Sequence, residues 1–106
     1  MKLLEINPST RKNKKFMAIF DVNGKKVTTH FGAEGYRDFT LMNNKNSKFY
    51  EKSSVERNKV KQSYLKRHAK EDWMKPLSAS SLSRWILWNS ASLPVSIKNY
   101  KRKFNL

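Results

Sequence analysis

Between Phe16 and Phe31 the chain alternates about the central pair Asn23-Gly24, in the stretch "KKFMAIFDVNGKKVTTHFGA". Asn-Gly is the favoured pair for a two-residue type I′ turn, which closes a tight antiparallel hairpin. That turn sets the register: Val22 faces Lys25, Phe20 faces Val27, Ala18 faces Thr29 and Phe16 faces Phe31. These pairs share one apolar face. The other face pairs Asp21 with Lys26, Ile19 with Thr28 and Met17 with His30, a mixed surface that asks for partial cover. A slip of one residue would turn Phe16, Phe20 and Phe31 away from the core, so the pattern itself specifies the pairing. "KLLEI" reads as a strand that precedes the hairpin and ends at Asn7-Pro8, giving a three-stranded antiparallel meander over about 2–32.

Residues 33–52 lack a sustained period and read as a connector, with a short extended piece at "DFTLM". The period then changes. "SSVERNKVKQSYLKRHAK" opens with Ser53 and Glu56 at capping-box spacing. It carries a thin apolar stripe of Val60, Tyr64 and Leu65, continued by His68 or Ala69, and a helix is expected through residue 70. "SASSLSRWILWN" predicts a second helix capped by Ser78 or Ser80, with Leu82, Trp85, Ile86 and Asn89 on one face and Leu87 and Trp88 broadening it. So wide an apolar face is either core or interface; Leu87 and Trp88 would suit a homodimer contact as well as a core. "SLPVSIKNYKRKF" predicts a third, capped by Ser92 with Pro in its first turn and Leu93, Ile97, Tyr100 and Phe104 on one side. The expected fold is a single α+β domain, a β-meander followed by three helices over residues 53–104 that pack on its aromatic face.

Charge changes this picture from a generic small domain to one built for a polyanion. The 106 residues hold 23 Lys and Arg against eight Asp and Glu, a formal charge of +15. The excess is spread evenly: nine bases and four acids in 1–47, the same in 48–76, and five bases with no acid in 77–106. It is not a detachable basic tail. So dense a field repels itself unless a polyanion neutralises it, and it exceeds what solubility requires of a small domain. Nucleic acid, DNA before RNA, is the expected partner. The basic positions set against the apolar stripes are Lys59, Lys66, Arg67 and Lys70 on the first long helix, with Lys98, Lys101, Arg102 and Lys103 near the C-terminus. Lys12, Lys14 and Lys15, where the hairpin begins, form a third cluster. No helix carries the Asn, Gln and Arg set of a major-groove reader, so phosphate contacts with little sequence specificity are expected.

Catalytic and metal readings fare worse. In "KRHAKEDW" the acids Glu71 and Asp72 stand four residues after Arg67 and His68, the spacing of helical ion pairs. Trp73 would then lock the helix end. A metal-dependent nuclease needs converging carboxylates, and Glu71, Asp72 and Glu34 form no recognisable set. The absence of Cys removes thiolate ligands, and neither His30 nor His68 has a second ligand at metal spacing, so no cofactor is expected. "FGAEGY" holds a Gly-x-x-Gly of the kind that clamps a phosphate backbone, but a turn with positive φ explains it more simply. Trp73, Trp85 and Trp88 lie among apolar residues and read as packing rather than as platforms for single-stranded bases. No segment reads as a signal peptide or membrane span.

The blocks "THFGAEGYRDFTLM", "YLKRHAKEDW", "SLSRWILWN" and "SIKNYKRKF" resemble a family of short basic proteins encoded by large double-stranded DNA viruses of eukaryotes, with relatives in phycodnaviruses, marseilleviruses and mimiviruses. The likeness runs from about Lys15 to Phe104. It implies a viral protein acting inside the infected cell, in cytoplasm, viral factory or nucleus, and associated with the genome or the virion. It brings no catalytic residue with it. Three functions follow in order of preference: a non-enzymatic DNA-binding protein, a virion adaptor whose charge meets an acidic protein, and a small nuclease.

Overall fold

The computed structural model describes residues 1–106, and its sheet follows the alternation closely. Strands β1 (Lys2–Pro8), β2 (Lys14–Val22) and β3 (Lys25–Ala33) pair antiparallel in the order β1-β2-β3. Every β2–β3 partner is the one that the Asn23-Gly24 turn dictates, from Val22–Lys25 to Phe16–Phe31. The turn has the required geometry, with positive φ at both Asn23 and Gly24, and the Asp21 side chain accepts from the Gly24 N–H at 2.8 Å. On β1 the register shifts between Leu3 and Glu5. The bulge sends Leu4 outward, where it is half exposed, and keeps Leu3 buried opposite Phe20.

Four helices follow rather than three. The connector contains α1 (Phe39–Met42), where an extended piece had been expected. The aromatic and β-branched residues of "DFTLM" favour a strand, but Asp38 overrides them: its side chain caps the turn by accepting from the Leu41 N–H at 2.8 Å. Helix α2 (Ser54–Arg67) starts at the Ser53 cap as expected. Only half of the capping box forms, however, because the Ser53 N–H donates to Glu51 instead of Glu56. Helix α3 (Ala79–Leu82) is capped by Ser78 and continues as a π-helical turn over Ser83–Leu87, in which the Trp88 N–H reaches back to the Ser83 carbonyl. The wider turn has a packing consequence. It lets the consecutive residues Ile86, Leu87 and Trp88 all be buried together with Leu82, which an ordinary helix facing one neighbour does not allow. Helix α4 (Leu93–Phe104) has its Ser92 cap and ends on Asn105 in the left-handed region.

One apolar cluster joins these elements. Phe20 and Phe31 from the sheet, Met42 from α1, Tyr64 from α2, Leu82, Ile86, Leu87 and Trp88 from α3 and its continuation, and Tyr100 from α4 all belong to it. Leu87 and Trp88 are therefore core within this chain and are not left over for a dimer contact. Tyr100 donates from its hydroxyl to the Pro76 carbonyl at 2.5 Å, so α4 is tied to the loop between α2 and α3. Gly32 is needed where Leu87 meets the sheet: its φ is +79°, and an added Cβ would stand 2.8 Å from Leu87 Cδ1. The Phe20→Ala variant should lose about 3–5 kcal/mol of stability in denaturant unfolding, whereas Leu4→Ala on the bulge should stay within about 0.5 kcal/mol.

Candidate nucleic-acid interface

The end of the sheet remote from the Asn23-Gly24 turn is where separate basic segments meet. The β1–β2 loop lies there, with Asn13 at positive φ. The Asn13 carbonyl accepts from the Glu34 N–H at 3.1 Å, which brings that loop against the turn that follows β3. Lys15 fixes this turn from below. Its ammonium donates to the Tyr36 carbonyl at 2.7 Å and to Asp38 Oδ2 at 2.7 Å. Asp38 is 2% exposed and Lys15 12%, and the second carboxylate oxygen caps α1, so one carboxylate joins sheet, turn and helix.

Two clefts flank this tie and share Lys14, Lys15, Tyr36, Asp38 and Leu87 in their walls. The larger, about 980 Å³, has Arg11, Lys12, Lys14 and Lys48 around an apolar floor that includes Phe16, Leu41 and Phe49. Lys48 lies over the Phe49 ring at 5.2 Å from its centroid. The smaller, about 620 Å³, has Arg37 from the turn and Arg67 from α2, with Ser80 and Ser83 opposite. Its wall contains a stack of three rings: His68, Tyr64 and Trp88 succeed one another at 4.2 Å centroid spacing. Across the whole chain only Lys15, Lys59 and Lys75 have a carboxylate within 4.0 Å; every other lysine and arginine lacks an anionic partner.

The residues expected to contact nucleic acid therefore divide. Lys12, Lys14 and Arg67 line the clefts. Lys15 does not belong with them, because its ammonium is held inside by Asp38. Lys59, Lys66 and Lys70 are exposed along and just beyond α2, with Lys59 3.9 Å from Glu56. Lys98, Lys101, Arg102 and Lys103 stand exposed on α4, outside both clefts. Arg11, Arg37, Lys48 and Tyr36 did not stand out in the sequence. Their signal was only an Arg or Lys near a Gly or Asn turn, which a chain this basic supplies many times over.

The acids of "KRHAKEDW" take other partners than expected. Helix α2 stops at Arg67, three residues short of Lys70, so spacings of four no longer align. His68 becomes the C-cap and pairs with Glu71, while Asp72 pairs with Lys75 at 3.5 Å. Trp73 does lock this segment: its carbonyl accepts from Trp85 Nε1 at 2.9 Å, and the two indoles meet edge to face. Arg84 lies over both rings, and Lys103 lies 4.3 Å from the Trp85 centroid. The tryptophans are thus engaged within the chain. His30 is bonded to Ser9 at 2.7 Å, and no three His, Asp or Glu side chains converge as metal ligands.

Burial also shifts titrations here. Lys61 is pushed down by desolvation and by nearby Arg84; its ammonium donates to the Asn89 carbonyl at 2.7 Å. Arg84 is likewise lowered by burial. Tyr64 is pushed up to about 12, first by burial and then by the Glu71 charge. Tyr100 rises in the same direction through burial.

The sequence profile of a family of unknown function, DUF5754, matches residues 4–52, which is the meander, the Tyr36 turn and α1. No curated protein matches the chain. No solved structure matches it either.

Two outcomes check this geometry. Asp38→Ala removes the partner of a buried ammonium and the cap of α1 together, and should cost about 3–5 kcal/mol in urea unfolding. Because the folded state holds the Tyr64 phenol neutral above its ordinary value of 10, the unfolded chain ionises first. Stability should be intact below pH 10 and fall between pH 10 and 12, with Tyr64→Phe flattening that fall in a pH series of melting curves.

Proposed function

We propose that this protein binds nucleic acid, DNA in preference to RNA, through phosphate contacts with little sequence specificity, and that it does no chemistry on its ligand. The observation that carries this reading is the convergence of Arg11, Lys12, Lys14, Arg37, Lys48 and Arg67, from four separate segments, on two adjoining clefts without a single carboxylate partner among them. Glu34 and Glu71 also line the clefts and Asp38 is taken by Lys15, but no carboxylate lies within 4.0 Å of these six cations; they repel one another, and an external polyanion relieves that repulsion. In this reading the helices, packed on the aromatic face of the meander, act as a rigid support. The exposed bases of α2 and α4 extend the field for a duplex that runs along the 45 Å long axis of the molecule. No helix is long and apolar enough to cross a membrane. The resemblance to short basic proteins of large DNA viruses supports a role beside a viral genome, in the infected cell or the virion.

Electrophoretic shift assays with a blunt DNA duplex over a salt series test this directly. Affinity should fall by about 0.9 log units per log unit of salt for each phosphate neutralised. Arg37→Ala and Arg67→Ala should each weaken binding to unrelated sequences alike and reduce that slope by about 1. No shift even at low salt contradicts the reading.

A further inference from the structure

We infer that the double cleft takes unpaired nucleotides, with Tyr36 as the platform on which a base stacks, so that the preferred ligand is a junction between duplex and single strand. This rests on the reading of the protein as a nucleic-acid binder and names the form of nucleic acid that the cleft accepts.

Tyr36 is the most exposed aromatic residue in the chain, 70% accessible, and it forms part of both clefts. Each tryptophan packs on another ring of the chain, whereas Tyr36 packs on none. Nor does any lysine or arginine of the chain cover it. Its backbone is nevertheless fixed, because Lys15 holds its carbonyl and its own N–H lies 3.4 Å from the Ala33 carbonyl. An aromatic side chain left bare on a pinned turn, between two sets of cations that form no ion pair, is the arrangement that holds single strands: cations track the phosphates and the ring receives a base.

Access to the base decides between paired and unpaired ligands. The bases of a duplex are stacked on one another and present only edges to a protein, whereas an exposed ring needs the face of an unstacked base. An unpaired strand can lay its phosphates along Arg11, Lys12 and Lys14, pass over Tyr36, and leave beside Arg37 and Arg67. Phe49, half-buried in the larger cleft, offers a second apolar surface there. The exposed bases of α2 remain available to the duplex portion.

Fluorescence anisotropy with a labelled blunt duplex, and with the same duplex carrying a short thymidine overhang, tests this at one fixed salt concentration. The overhang should tighten binding at least about tenfold. Tyr36→Ala should abolish most of that gain, a loss of about 5- to 150-fold on the overhang substrate, and weaken the blunt duplex far less; Tyr36→Phe should retain it. Tyr36 is exposed, so its truncation leaves the core intact, and unchanged thermal melting confirms this. Overhang binding without duplex binding supports the cleft assignment while overturning the duplex reading. An overhang that adds nothing, or a Tyr36→Ala effect equal on both substrates, overturns the inference while duplex binding still stands. No binding in any arm overturns both.

Discussion

The Lys15–Asp38 pair is the contact on which the arrangement of the basic end depends. Lys15 sits at the start of β2 and Asp38 at the start of α1, and their 2.7 Å contact is almost fully shielded from water. Removing one partner of such a pair is costly because the other charge is left uncompensated. The same carboxylate caps α1 and the same ammonium pins the Tyr36 carbonyl. Sheet, turn and first helix are thus held at one point. The two clefts exist on either side of it, since both include the pair in their walls.

A second constraint works from the opposite direction. Burying Ile86, Leu87 and Trp88 in sequence requires the π-helical turn after α3, and the turn drives Leu87 against Gly32. Gly32 lies next to Ala33 and the loop that Asn13 holds, so the core reaches within a few residues of the basic rim. Rigidity there matters because ordering flexible lysines on binding costs conformational entropy, and a fixed scaffold lowers that cost. Lys14 on β2 and Arg67 on α2 stand on elements packed on the core, and Arg11, Lys12, Arg37 and Lys48 stand on the loops that join such elements.

Much of the fold was legible because its signals were local. Asn23-Gly24 dictates the hairpin register, and Ser53, Ser78 and Ser92 each start a helix where a short polar side chain precedes an apolar period. The parts that escaped depend on distant partners. Asp38 precedes "FTLM" as a helix cap should, but the aromatic and β-branched residues argued for a strand, and only Lys15, 23 positions earlier, makes its burial favourable. The end of α2 moved by three residues because His68 found Glu71, so both expected ion pairs gave way to others. Sequence placed the bases on helix faces and in clusters, whereas the clefts collect bases from loops whose meeting is a property of tertiary structure. Lys12, Lys14 and Arg67 were recognisable as basic positions, but Tyr36 between them was not.

The central claim is that nucleic acid is held at this end of the molecule, around the Lys15–Asp38 tie. Amide chemical-shift mapping of the labelled protein during titration with a short DNA oligonucleotide tests it most directly. The account predicts that perturbations concentrate at residues 11–15, 34–37, 48–49 and 67, and that they disperse again when salt is raised. Perturbations confined to residues 98–103 of α4, or none at saturating oligonucleotide, would contradict it.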